Sequence, residues 1–176
     1  VAWLRRVPPE SSSRGQATLV LAMSLKELGR IDESRQIFAD ALKVAGDSKF
    51  AADVLFQQAQ MERTSGSPAA AAQIFEDVAE RWPTFSRTSD CLFNAAELRL
   101  ELNEREQAER LWSRLSMDFA EAAAKPRDQI LLGRLQLAKG NVDEAIRILD
   151  AATANSADPA ERVIAVGRYY LVRAFY

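Results

Sequence analysis

Residues 29–38 read GRIDESRQIF and residues 66–75 read GSPAAAAQIF. Both stretches open on a glycine and close on Gln-Ile-Phe, and the second begins 37 residues after the first. Stepping on by the same interval gives Arg110-Leu111-Trp112 and then Arg147-Ile148-Leu149, so the apolar pair recurs four times without an insertion. Three further columns share the phase: Gly29, Gly66, Asn103 and Gly140; Ala22, Ala59, Ala96 and Gly133; Ser34, Ala71, Ala108 and Ala145. The first holds residues suited to a left-handed backbone at a helix end. The other two hold only small residues. Self-similarity at a fixed period of this length is the signature of a repeat architecture.

Within each period the apolar spacing is helical. Leu21, Leu25 and Leu28 form one stripe, and Ile31, Ser34, Ile37, Phe38 and Ala41 form another, with Gly29-Arg30 between them. In the second period the break is Ser65-Gly66-Ser67-Pro68, which places Ser67 as N-cap and Pro68 in the first helical turn. In the fourth, Gly140-Asn141 precedes Asp143-Glu144, whose negative charge suits a helix start. No useful length alternates as a strand would. The spacing predicts helical hairpins over 15–28 and 31–45, 50–65 and 68–82, 88–102 and 105–119, and 126–139 and 142–154. The corresponding units are 15–48, 52–85, 89–122 and 126–159 in a single array over 1–176. The same phase makes 1–10 the tail of a preceding unit and 161–176 the first helix of a fifth, as expected of a piece of a longer protein.

Composition narrows the chemistry. Of 176 residues, 48% are apolar and 27% charged, with 23 basic and 25 acidic side chains giving a net charge of −2. That is enough apolar material for a core, and the mixed signs argue against disorder. There is no histidine, which removes Ser-His-Asp and Cys-His catalysis, histidine metal sites and a histidine pH switch. The single cysteine, Cys91, excludes an internal disulfide and a cysteine zinc site. Its place at a helix start favours a thiolate and the adjacent Asp90 opposes one, so it reads as an ordinary, partly buried residue. Near-balanced charge leaves no electrostatic footprint for nucleic acid. The longest apolar stretch, Ala17 to Leu25, falls far short of the roughly 20 residues of a membrane span. Glu97, Glu101, Glu104 and Glu106 interleave with Arg99, Arg105 and Arg110, which reads as a solvated helix face rather than an acid–base pair. No glycine-rich phosphate loop, metal-ligand cluster or nucleophile motif is present, and no cofactor is expected.

These columns resemble the tetratricopeptide repeat, whose units are two antiparallel helices with small residues at their crossing, an aromatic in the second helix and a closing proline. The Ala22, Gly29 and Ser34 columns carry the likeness, with Phe38, Phe75, Trp112 and Leu149 as the second-helix position and Arg81-Trp82-Pro83 as the unit's end. The period is 37 rather than about 34 residues. The first-helix aromatic is replaced by Thr18, Leu55, Leu92 and Gln129, and only Pro9 and Pro83 fill the proline column. The resemblance implies an all-α, right-handed α-solenoid of helical hairpins. The run Arg81-Trp-Pro-Thr-Phe-Ser86 is similar to members from the bacterial cell envelope, which implies the periplasm and leaves the cytoplasm open.

By that resemblance the first helices line a concave surface that binds peptides. The column Leu19, Phe56, Phe93 and Ile130, continued by Tyr169, is then the apolar floor of a groove, or else a layer buried between first helices. Met23, Gln60, Glu97 and Arg134 run beside it as a mixed wall. Such a groove suits a protein or peptide segment with spaced apolar anchors. The cationic clamp by which relatives hold acidic chaperone tails is missing, since its places hold Leu19, Met23, Gln57, Asp90 and Asn94. The expected function is a non-enzymatic interaction scaffold within a larger assembly. A self-associating spacer is the alternative, and an RNA-binding helical repeat the remoter one. Partners are expected to be protein, not nucleic acid, with no membrane insertion by this stretch. The last helix, with Ile164, Val166, Tyr169, Tyr170, Leu171 and Phe175, is expected to dimerise.

Overall fold

The turns set the fold. In the computed structural model, which describes residues 13–46 and 48–155, four residues one period apart take positive φ: Gly29 at 72°, Gly66 at 88°, Asn103 at 61° and Gly140 at 84°. All four share one bond across the turn that reverses the chain, and three of them add a second. Arg30, Ser67, Glu104 and Asn141 donate their N–H groups to the carbonyls of Leu25, Glu62, Arg99 and Gln136. Gly29, Asn103 and Gly140 donate to Lys26, Leu100 and Leu137. These bonds satisfy carbonyls left over at the end of a helix, and the left-handed residue between them is one that glycine or asparagine adopts cheaply. The next helix starts at once: Arg30, Ser67 and Glu104 share ψ values of 64°, 60° and 63°.

The described residues hold helices joined by short turns and form helical hairpins. The helices are α1 (Ser13–Glu27), α2 (Ile31–Ala45), α3 (Lys49–Thr64), α4 (Pro68–Arg81), α5 (Thr88–Glu101), α6 (Arg105–Asp118), α7 (Ala120–Ala123), α8 (Pro126–Ala138) and α9 (Val142–Asn155). Eight of them match the expected hairpins to within about two residues at either end, ordinary fraying of helix boundaries. The ninth, α7, was not expected. Trp82 and Phe119, one period apart, end their helices with similar backbones (φ −128°, ψ 69° and φ −137°, ψ 55°). Pro83 follows the first and cannot continue a helix; Ala120 follows the second, and the alanine-rich chain takes one more turn. Among the described residues, no helix is long and apolar enough to cross a membrane. The flanking segments read as 1–10 and 161–176 lie outside the described residues, and with them Tyr169 and the expected dimerising helix.

The chain divides into two compact units, Val1–Cys91 and Leu92–Tyr176. In the first, α1 pairs with α2 and α3 with α4, and α2 packs on α3. Ala22, Phe38, Ala41, Val54 and Met61 form the buried centre, with Leu19, Ile31, Ile37, Leu42 and Phe50 packed around it. The small columns bring the axes together: Ser34 lies against α1 and its hydroxyl donates to the Ala22 carbonyl at 2.7 Å. In the second unit α8 pairs with α9 and α6 rests on α8. Here the small-residue column reaches its limit, because a Cβ on Gly133 would stand 2.6 Å from Leu149 Cγ. All members of the two small columns and of the Phe38 column are buried. Packing therefore explains them without a ligand.

Candidate interaction surface

In the first unit the expected floor residue Phe56 points inward from α3. Its ring meets Phe75 of α4 edge-on at 5.5 Å between centroids and Phe85 at 6.5 Å. The chain after α4 is folded back to make this possible. The Phe85 N–H donates to the Trp82 carbonyl, the Thr88 N–H to the Phe85 carbonyl, and the buried Thr88 hydroxyl lies 3.0 and 2.8 Å from those two carbonyls. Over the remaining face of Phe56 lies the Arg87 guanidinium, its Cζ 4.7 Å from the ring centroid. Phe56 is left 6% exposed.

The second unit repeats the device. Arg127, at the start of α8, sets its Cζ 4.0 Å above the ring of Phe93, which is 5% exposed. Ile130 is 4% exposed and belongs to the core with Leu149 and Ala152. Leu19 is half-buried against the centre of the first unit. Of the two alternatives the sequence left for Leu19, Phe56, Phe93 and Ile130, three of the four side chains take the buried one, and a guanidinium lies over each of the two phenyl rings. The spacing placed the column on one face but could not say that arginines 31 and 34 positions further on would fold over it.

The wall column is mixed, as read. Met23 is 38% exposed, and Gln60 is half-buried. In the second unit Arg134 stays partly accessible and donates through Nη1 to Glu97 Oε1 at 2.9 Å, exactly one period away, with Glu101 at 3.7 Å. Glu97 and Arg99 are buried, contrary to the solvated face expected for them. Arg99 is held by Glu104 at 2.6 Å across the turn, so both charges are taken inside as pairs. Glu101, Arg105, Glu106 and Arg110 do lie at the surface.

Other charges tie helix to helix. Arg35 of α2 grips Glu62 of α3 with two parallel bonds, Nε to Oε1 and Nη2 to Oε2, each 2.8 Å. That grip holds the buried Glu62 carboxyl below the usual carboxylate range, helped by the Ser67 and Ser65 hydroxyls. Ser67 stands at the expected N-cap position without bonding the helix start, its hydroxyl serving Glu62 instead. In the second unit Glu109, two periods on from Arg35 with the sign reversed, meets Lys139 at 3.0 Å. Cys91 is fully buried; desolvation, with Asp90 next to it, pushes its thiol up to about 12. Among the described residues no group of three or more His, Cys, Asp or Glu side chains could hold a metal ion.

Residues 19–84 match the family model of the tetratricopeptide repeat. No curated protein matches the chain. Among solved structures, the chain is similar to the nearly identical TPR-like repeats of a kinesin light chain-like protein from Podosopora anserina. There the TM-score is 0.69 at 17% identity, covering 94% of this chain and 89% of that one. It is also similar to BtubC (BKLC) from P. vanneervenii, with a TM-score of 0.74 at 19% identity over 98% of this chain and 80% of that one. At such identities the likeness is one of fold.

Proposed function

We propose, from the premise that this chain is a divergent member of the tetratricopeptide-repeat family, that it is a protein-interaction module whose first helices carry the recognition face. Repeats of this family generally serve protein–protein interaction, and a scaffold role follows more readily than a catalytic one. The observation that supports the reading is the contrast between columns. Packing holds the Ala22, Ser34 and Phe38 columns to one size class at every unit. The Met23, Gln60, Glu97, Arg134 column changes chemistry at every step, and three of its four members keep solvent access. A position that packing leaves free and that differs from repeat to repeat is where partner choice can be written.

Burial of the phenyl column changes the expected partner. Among the described residues Phe56, Phe93 and Ile130 leave no open apolar floor, so the partner segment is one that offers polar and charged groups, to Gln60 and the arginine above Phe56 in the first unit or to Arg134 and the arginine above Phe93 in the second. The test is selection of a displayed library of random peptides of about twelve residues on the immobilised full chain. Capture of a recurring peptide motif, weakened by Gln60→Ala or Arg134→Ala with the melting temperature preserved, supports the module. A chain that captures no peptide but self-associates with rising concentration in sedimentation is a spacer instead.

A further inference from the structure

The two arginine-covered rings differ in one respect. Arg127 has a carboxylate beside it in its own unit: its Nε lies 3.2 Å from Oδ2 of Asp128, which is fully buried. Arg87 is exposed, and among the described residues no carboxylate lies within ion-pair distance of it. It is nevertheless held in place. Its guanidinium carbon lies over the Phe56 ring, that ring is held by Phe75 and Phe85, and the backbone on both sides of it is pinned by the bonds of Phe85 and Thr88.

A cation–π contact uses none of a guanidinium's five N–H donors as hydrogen bonds to the ring, so an exposed arginine over a phenyl keeps a fork that can grip a carboxylate through two parallel bonds. Because the side chain already lies against Phe56, less rotamer freedom is lost on binding than for a surface arginine that touches nothing. We infer that Arg87 is the anion contact of the first unit: a partner protein segment sets an Asp or Glu side chain against the guanidinium edge above Phe56. This rests on the interaction-module reading and gives its partner a chemistry. The cation comes from outside the clamp places Leu19, Met23, Gln57, Asp90 and Asn94, none of which is basic.

The probe is the same random-peptide library on the full chain, with the captured peptides resynthesised with a fluorophore and titrated by anisotropy. Enriched peptides are expected to share an Asp or Glu, and changing it to Asn or Gln should weaken binding about tenfold, close to 1.4 kcal/mol. Arg87→Gln should weaken the parent peptide by a similar factor and leave the Gln-substituted peptide unaffected, with an unchanged melting temperature. Arg87→Lys, which keeps charge but not the fork, should fall between, and it serves as the readout if Arg87→Gln loosens the aromatic cluster. Peptides captured without an acidic residue, or bound equally by wild type and Arg87→Lys or Arg87→Gln, overturn the inference and leave the module reading standing. No capture at all overturns both. Tighter binding of a random single-stranded RNA than of any peptide, lost in Arg87→Gln, assigns the cation to phosphate and overturns the carboxylate.

Discussion

At Gly133 the backbone of α8 comes so close to Leu149 that one added methyl has nowhere to go, because Leu149 is itself fully buried. In an open helix Gly→Ala gains about 1 kcal/mol. Here overpacking, typically about 1–3 kcal/mol, opposes that gain. Gly133→Ala should therefore lower the melting temperature by a few degrees, whereas the same change at an uncrowded helical site would raise it. Cys91 gives a second outcome at this scale. Its thiol is sealed in and raised to about 12, so the reactive thiolate is scarce at neutral pH and out of reach. Alkylation by iodoacetamide should be slow in the native chain and rise with denaturant along the unfolding curve. Rapid labelling without denaturant would place Cys91 at the surface.

Helix pairs are joined by packing and by charge, and the Arg35–Glu62 clamp between α2 and α3 makes the charge measurable. The folded state holds the Glu62 carboxyl below its unfolded value, which is near 4.3, so the native state favours the ionised form. The stability this contributes is fully present above the unfolded value and disappears as pH falls through the lowered folded one; Arg35 stays charged throughout. Wild type and Glu62→Gln should differ most at neutral pH and converge as the pH falls below the ordinary carboxylate range, as followed by urea midpoints. A difference independent of pH would show that Glu62 acts through shape rather than charge. The exposed pairs Arg30–Glu33, at the start of α2, and Arg147–Glu144, within α9, should contribute little.

For the whole molecule, stability should be built from neighbours, as in other repeat arrays. Phe75 is fully buried where α3 meets α4, and Phe75→Ala should cost about 3–5 kcal/mol through the cavity it leaves. Hydrogen exchange should then show lost protection in α3 and α4 while α8 and α9 keep more of theirs. Equal loss everywhere would mean that the array unfolds as one cooperative block.

How much of this was legible in the sequence follows from the distance over which each feature is decided. Hairpin positions, the four left-handed turns and the small crossings were readable because each is set within one helix or one turn: glycine or asparagine where φ must be positive, alanine where two axes meet. α7 escaped because it depends on the absence of a proline at position 120, a weak signal in an alanine-rich loop. Glu97 and Arg99 read as surface because interleaved charges ordinarily face water, and their burial depends on Arg134 and Glu104 arriving to pair with them. The fate of Phe56 and Phe93 was decided in the same way. Period and helical phase determined that they share a face. Only the tertiary structure brought Arg87 and Arg127 over their rings, because a side chain's exposure is set by what folds back onto it from tens of residues away.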